Sequence, residues 1–293
     1  GWPEGCFQTL LIGSDVVPQV IADRRVRGVT LTGSVDAGKD VASHAGRNIK
    51  KTVLELGGSD PFIVMPSADV DEAAKVGVKA RIINNGQSCI AAKRFIVHRD
   101  VYRQFERSYV EGMRQLRVGD PMLEDTDLGP LSTAEGRGTL EKQMKENVAA
   151  GTRVLLGGKR IQGKGYFFEP TVVVDPPPSA PAANDEMFGP IATLFRADSA
   201  EHAIQIANST QFGLGASVWT SERSDQLRFR DEIEAGMVFF NAVVASDTRI
   251  PFGGVKNSGY GRELSAAGLR EFVNVKTVWV AEPKTETVVS STE

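Results

Sequence analysis

The segment TLTGSVDAGKDVA, Thr30–Ala42, decides the fold. It completes an apolar run, VRGVTL (26–31), that reads as a buried strand, and a glycine-rich turn at Thr32–Ser34 leads into a helical stretch from Asp36 to Asn48. Strand, glycine turn and helix open a parallel α/β unit, whose helix start offers unpaired N–H groups and a positive dipole end to a phosphate. Gly33, four residues, Gly38 and Lys39 come close to the phosphate cradle of nucleotide triphosphatases. That cradle requires Ser or Thr after the lysine to ligate magnesium. Asp40 stands there instead, and its carboxylate would repel a phosphate in a poorly screened site. The loop therefore reads either as a diphosphate site or as a plain strand-to-helix turn.

The alternation continues outward. TVLEL (52–56) and PFIV (61–64) read as short strands around the turn Gly57–Gly58. Asp69, with Glu72 three residues on, forms a capping-box pattern for a helix that Gly86 stops. Further helices are expected at Tyr102–Leu116, Ala134–Ala150, Ala200–Asn208 and Ser224–Glu234, with strands at Arg94–His98, Thr171–Val174, Ala216–Thr220 and Gly236–Asn241. Phe7–Ile12 reads as one more buried strand. The proline-rich stretch Asp175–Asp185 is expected to be a surface loop, because proline cannot join a central ladder.

Composition narrows the function. The chain of 293 residues has 34 Lys+Arg against 37 Asp+Glu, a net charge of −3, and no basic run of the kind that grips nucleic acid or an anionic membrane. No apolar stretch is long enough to span a bilayer, and GWPEGCFQTLLIG lacks the pattern of a secretion signal. Two cysteines, Cys6 and Cys89, make no disulfide framework, so a cytoplasmic setting is expected.

Two side chains carry chemistry. Cys89 follows Gly86, Gln87 and Ser88 at a turn before an apolar strand, a position suited to an accessible nucleophile. Cys6, among Phe7 and Leu10, reads as a small buried hydrophobe. Glu55 ends the apolar strand TVLEL, where burial would raise its pKa and fit it to accept a proton near neutral pH.

TGSVDAGK (32–39), LELGG (54–58), GQSC (86–89), EMFGP (186–190) and PFGGVKNSGYGRE (251–263), in that order, resemble the aldehyde dehydrogenase superfamily. The resemblance runs from Trp2 to Val280, and ASDTRIPFGGVKNSGYGRELS (245–265) is most similar to its succinate-semialdehyde branch. It implies a three-layer α/β fold, with part of a Rossmann-type cofactor domain at 1–57, a catalytic domain at 58–273, an oligomerisation strand at 274–285 and a flexible tail at 286–293. It implies oxidation of a small aldehyde with NAD or NADP, in a homo-oligomer. Cys89 matches the nucleophile and Glu55 the base; Gly33 and Ser34 match the pyrophosphate loop, and Glu186 and Phe188 the nicotinamide-ribose site. Ser246, Arg249 and Phe252 are candidates for the substrate funnel, Arg249 either clamping a distal carboxylate or pairing with Asp247. Three departures stand out: Ser59 where Lys or Asn is common, Ile83 where some relatives carry a basic residue, and no counterpart of the family's N-terminal portion. The last leads to the expectation that this chain alone is weakly active.

Overall fold

A computed structural model describes residues 1–282, so the expected tail at 286–293 and the last residues of the expected 274–285 strand lie outside the described residues. After a short helix α1 (Val17–Ala22), strand β1 (Gly28–Thr32) enters the glycine turn and α2 (Val35–Arg47) leaves it. Ser34 caps α2 by accepting from the Ala37 amide at 3.2 Å, which fixes the turn's exit. Strand β2 (Lys51–Glu55) then pairs with β1 in parallel, Thr32 opposite Glu55, and the Gly33 amide donates to the Glu55 carbonyl at 3.0 Å. This register sets the phosphate-type turn beside Glu55, at the carboxyl ends of the strands where α/β sheets place ligands.

From β2 the chain crosses through the buried segment Leu56–Asp60 into β3 (Pro61–Val64), part of a seven-stranded sheet. Helix α3 (Val70–Ile82) packs on that sheet and β4 (Arg94–His98) follows. Then come α4 (Tyr102–Arg114), α5 (Ala134–Ala150), β5 (Arg153–Leu156), β6 (Thr171–Val174), α6 (Pro181–Asn184) and β7 (Ile191–Ala197). Helix α7 (Ala200–Asn208), the short β8 (Phe212–Gly213), β9 (Gly215–Trp219), α8 (Arg223–Glu232) and β10 (Met237–Phe240) complete this body. The order β10-β9-β3-β4-β7-β6-β5 is parallel except for the β5–β6 edge pair. Phe62, Phe95, Phe105, Tyr109 and Trp219 knit α3 and α4 to the sheet, with the Phe95 and Tyr109 rings 4.5 Å apart. Beyond, β11 (Val255–Lys256) pairs with β8, β12 (Gly259–Tyr260) returns antiparallel to β2, and α9 (Ser265–Arg270) follows. The first sheet thus takes its third strand from 200 residues downstream, Gly259 lying opposite Glu55.

The α/β alternation is as expected, with strands Arg94–His98 and Thr171–Val174 and helices Ala134–Ala150 and Ala200–Asn208 at the expected bounds. Four expectations need correction. Phe7–Ile12 is not a buried strand but exposed coil, with Phe7 at 92% and Leu11 at 97%, because no strand of the described residues lies beside it to complete a ladder. The stretch Asp175–Asp185 is only partly a surface loop: Pro181 starts α6, and Ala180 and Ala182 are buried. The α3 helix stops at Ile82 rather than at Gly86, and Asn84 and Asn85 take left-handed conformations before Gly86 does. Cys6 is exposed rather than a small buried hydrophobe, because it lies in the same coil as Phe7.

Candidate active site

Cys89 sits on an irregular turn that three elements hold in place. At the C-terminal end of α3, the fully buried Arg81 donates to the Gly86 carbonyl at 2.7 Å. Asn85 accepts from the Gly129 amide at 2.8 Å, and Gln87 accepts from the Ser132 amide at 2.9 Å. Gly86 has φ +77°, and a Cβ there would lie 2.3 Å from the Gly189 backbone, so the turn and the EMFGP segment approach too closely for any side chain. The same requirement explains LELGG. A Cβ on Gly57 would meet Glu186 Oε2 at 2.6 Å, and one on Gly58 would meet the Cys89 carbonyl at 2.6 Å.

The turn after β2 is pinned from the far end of the chain. Ser258 Oγ donates to the Gly57 carbonyl at 2.6 Å and accepts from the Gly213 amide at 3.0 Å, while its carbonyl takes the Leu56 amide. The KNSGYG segment therefore holds the strand end that presents Glu55.

These constraints open a cavity of about 620 Å³ lined by Glu55, Cys89, Glu186 and Phe188, with Gly33 and Ser34 at the start of α2. Glu55 is buried, at 3% exposed, and its pKa is raised, first by burial and then by the neighbouring Glu263 and Glu186 charges, against a hydrogen bond with the Cys89 thiol. The Cys89 thiol is pushed up to about 12 by burial and by the facing Glu55 carboxylate, with Lys93 opposing. Burial thus disfavours the charged form of both groups, and each lies close enough to influence the other's proton affinity. Glu55 Oε1 is buried without a hydrogen-bond partner, leaving an acceptor for a further donor.

Six of the nine residues singled out from the sequence line this cavity: Cys89, Glu55, Gly33, Ser34, Glu186 and Phe188. Glu186 Oε1 accepts from the Gly58 amide at 3.1 Å and lies 3.4 Å from Lys93 Nζ. Phe252 is buried behind the site in a cluster with Leu214, Met237 and Val244 that packs against Cys89. Ser246 and Arg249 do not reach it. Arg249 takes the Asp247 alternative, bonding that carboxylate through Nε at 2.9 Å and Nη2 at 2.5 Å, and it lines a separate cavity of about 720 Å³ with Arg262 and Leu269. The partners lie two positions apart, so the pair closes locally. Lys39 and Asp40 are exposed on α2 and do not line the cavity; Lys39 lies 3.9 Å from Asp36, and Asp40 lies 3.6 Å from His44. The sequence reading missed Lys93 and Asp60. Both are buried, and a charge immediately before an apolar strand, as in DPFIV and KRFIV, was the available signal.

Residues 1–278 match the family model described as the aldehyde dehydrogenase family. The chain belongs to that family. It is 55% identical to a succinate-semialdehyde dehydrogenase [NADP(+)] of Mycobacterium avium over 284 residues, 97% of this chain and 60% of that protein. It is 54% identical to succinate-semialdehyde dehydrogenase [NADP(+)] 1 of Mycobacterium tuberculosis, over 96% of this chain and 62% of that one. The crystal structure of succinic semialdehyde dehydrogenase from Streptococcus pyogenes, in complex with NADP+, superposes with a TM-score of 0.90 at 40% identity, covering 93% of this chain and 60% of that chain. The aldehyde dehydrogenase fold is therefore shared, and the chain spans about three fifths of the length of the relatives it matches. Among the described residues no helix is long and apolar enough to cross a membrane.

Proposed function

We propose that this aldehyde dehydrogenase chain oxidises an aldehyde, with succinate semialdehyde the best candidate, to the carboxylic acid with NAD or NADP. The observation that carries the reading is the Cys89 thiol facing the Glu55 carboxylate across a cavity that also reaches the start of α2. Glu55 accepts the thiol proton, and the sulfur adds to the aldehyde carbon to give a tetrahedral adduct. The Cys89 backbone amide is the donor assigned to its oxyanion. An oxidised nicotinamide, when bound, supplies the hydride acceptor that leaves a thioester on Cys89. Once that first proton has passed to solvent, Glu55 takes a proton from a water that adds to the thioester; the acid leaves, and Glu55 returns the proton to the Cys89 sulfur to restore the thiol.

The residues present suit a dinucleotide. Gly33 and Ser34, with the first amides of α2, would hold the diphosphate, and Glu186 would accept from ribose hydroxyls, seated where only glycine at position 57 leaves it room. NADP has the support of the mycobacterial and streptococcal names. Those names also support succinate semialdehyde. A simple aliphatic or aromatic aldehyde is the second reading, favoured by the engagement of Arg249 with Asp247 and by a cavity lining without Lys or Arg among the described residues. We further infer that residues 1–57 belong to the cofactor domain and 58–273 to the catalytic domain. Self-association through 275–280 is supported by the exposure of Val275, Val278, Trp279 and Val280, and two unpaired cysteines suit a reducing cytoplasm.

Iodoacetamide labelling read at each cysteine by mass spectrometry tests the reading. Aldehyde should protect Cys89 and not Cys6, and succinate semialdehyde should protect at lower concentration than butanal. Absence of protection at saturating aldehyde would overturn the dehydrogenase reading; equal protection by the two would remove the carboxylate preference.

A further inference from the structure

Lys93 takes no part in the chemistry above, yet its side chain is 1% exposed and lies directly behind the nucleophile. Its Nζ donates to the carbonyls of Ser88 at 2.7 Å, Cys89 at 2.8 Å and Ala91 at 3.0 Å, and lies 3.4 Å from Glu186 Oε1. Residues 88–91 form no ladder, so the donor they face sets the orientation of their carbonyls. Three donors spread tetrahedrally from one centre suit this cluster, whereas a planar guanidinium does not. Amides could satisfy carbonyls without burying a charge, so the charge itself calls for a reason. It faces the two groups assigned to opposite halves of the reaction.

We propose that Lys93 is the positioning residue of this site, a single ammonium that ties the turn carrying Cys89 to the Glu186 carboxylate. The roles of those two residues rest on the dehydrogenase reading; the tie does not. The charged and titratable groups around it are few. Lys93 faces Glu186, Arg81 from α3, Asp60 ahead of β3, and Cys89 itself; Cys89 faces Glu55 from β2 and Asp60 as well. Burial works against the Lys93 charge while Glu186 and Asp60 hold it in place. Its field in turn favours the Cys89 thiolate.

The test is the pH profile of Cys89 alkylation by iodoacetamide in the full chain, with the exposed Cys6 as internal reference. Lys93→Met should slow Cys89 labelling at neutral pH by about tenfold and move its midpoint up, equivalent to a pKa change of about one. Lys93→Arg should not restore it. Glu186→Gln, which leaves the carbonyl contacts intact, should move the midpoint down and speed labelling by about threefold, since the ammonium then acts on Cys89 alone. An unchanged midpoint in folded Lys93→Met overturns the proposal. If that variant does not fold, an unchanged midpoint in Glu186→Gln overturns it. Failure of aldehyde to protect wild-type Cys89 strikes the dehydrogenase reading instead and leaves the profiles to decide on Lys93.

Discussion

Burial raises the pKa of both Glu55 and Cys89; the Glu55 carboxylate raises Cys89 further, whereas the Cys89 thiol pulls Glu55 the other way. Removing the carboxylate charge should therefore separate two properties that a general loss of structure would reduce together. Glu55→Gln is expected to lower the midpoint of Cys89 alkylation and speed labelling at neutral pH by roughly tenfold, while hydrolysis of a Cys89 thioester slows by about 10²–10⁴. Stopped-flow labelling and acyl-enzyme decay measure the two. Asp60 affects stability rather than chemistry. Its carboxyl is fully buried, accepts one bond from the Gly215 amide at 3.1 Å, and is raised by burial to about 7 despite Lys93. A folded pKa above the unfolded one means that the native state binds the extra proton. Asp60 thus costs nothing below the unfolded pKa, and its cost grows as pH rises to about 7 and is complete above it. Asp60→Asn should flatten the fall in denaturant stability between about pH 4 and 7, a difference on the order of 2–4 kcal/mol. Residue types made Cys89 and Glu55 legible in the sequence, since a thiol after a glycine turn and a glutamate closing an apolar strand are locally odd. Arg249 was not decidable that way, because Asp247 and a distant substrate are equally good partners until the loop's path is known.

Elements were legible where one local rule governs them. Asp69 accepts from the Glu72 amide at 3.0 Å as the cap pattern requires, although the reciprocal bond is replaced by Glu72 turning to Lys75. Asp69→Ala should cost about 1 kcal/mol by urea titration. Because α3 also carries Arg81, which anchors Gly86, this loss should loosen the nucleophile turn and broaden the spread of Cys89 labelling rates. Gly86→Ala is expected to be harsher. A left-handed conformation and a 2.3 Å approach to Gly189 leave no relaxed position for a methyl group, so soluble yield and Cys89 labelling should both fall sharply. Strand β7 escaped the sequence reading although it is central. IATL is buried at every residue, and a strand covered on both faces shows no alternation to separate it from a helix or loop.

At the scale of the whole molecule, apolar residues crowd the two ends of the described chain: Trp2, Phe7 and Leu11 near one, Val275, Val278 and Trp279 near the other. Sedimentation velocity should show association that Trp279→Asp weakens, with Cys89 labelling unchanged. The same scale explains why composition and motif order could name an α/β dehydrogenase but not draw its cavity. Caps, glycine turns and apolar runs are set by neighbours a few residues apart, so the sequence by itself determined the alternation of strands and helices and singled out Cys89 and Glu55 as the candidate nucleophile and base. Sheet order, burial and pairing depend on contacts across the chain. Only the tertiary structure decided that Ser258 pins the strand end bearing Glu55, that Lys93 lies behind Cys89, and that Phe7–Ile12 has no ladder to join. A strand or a buried charge exists only when distant residues supply the missing half of its hydrogen bonds.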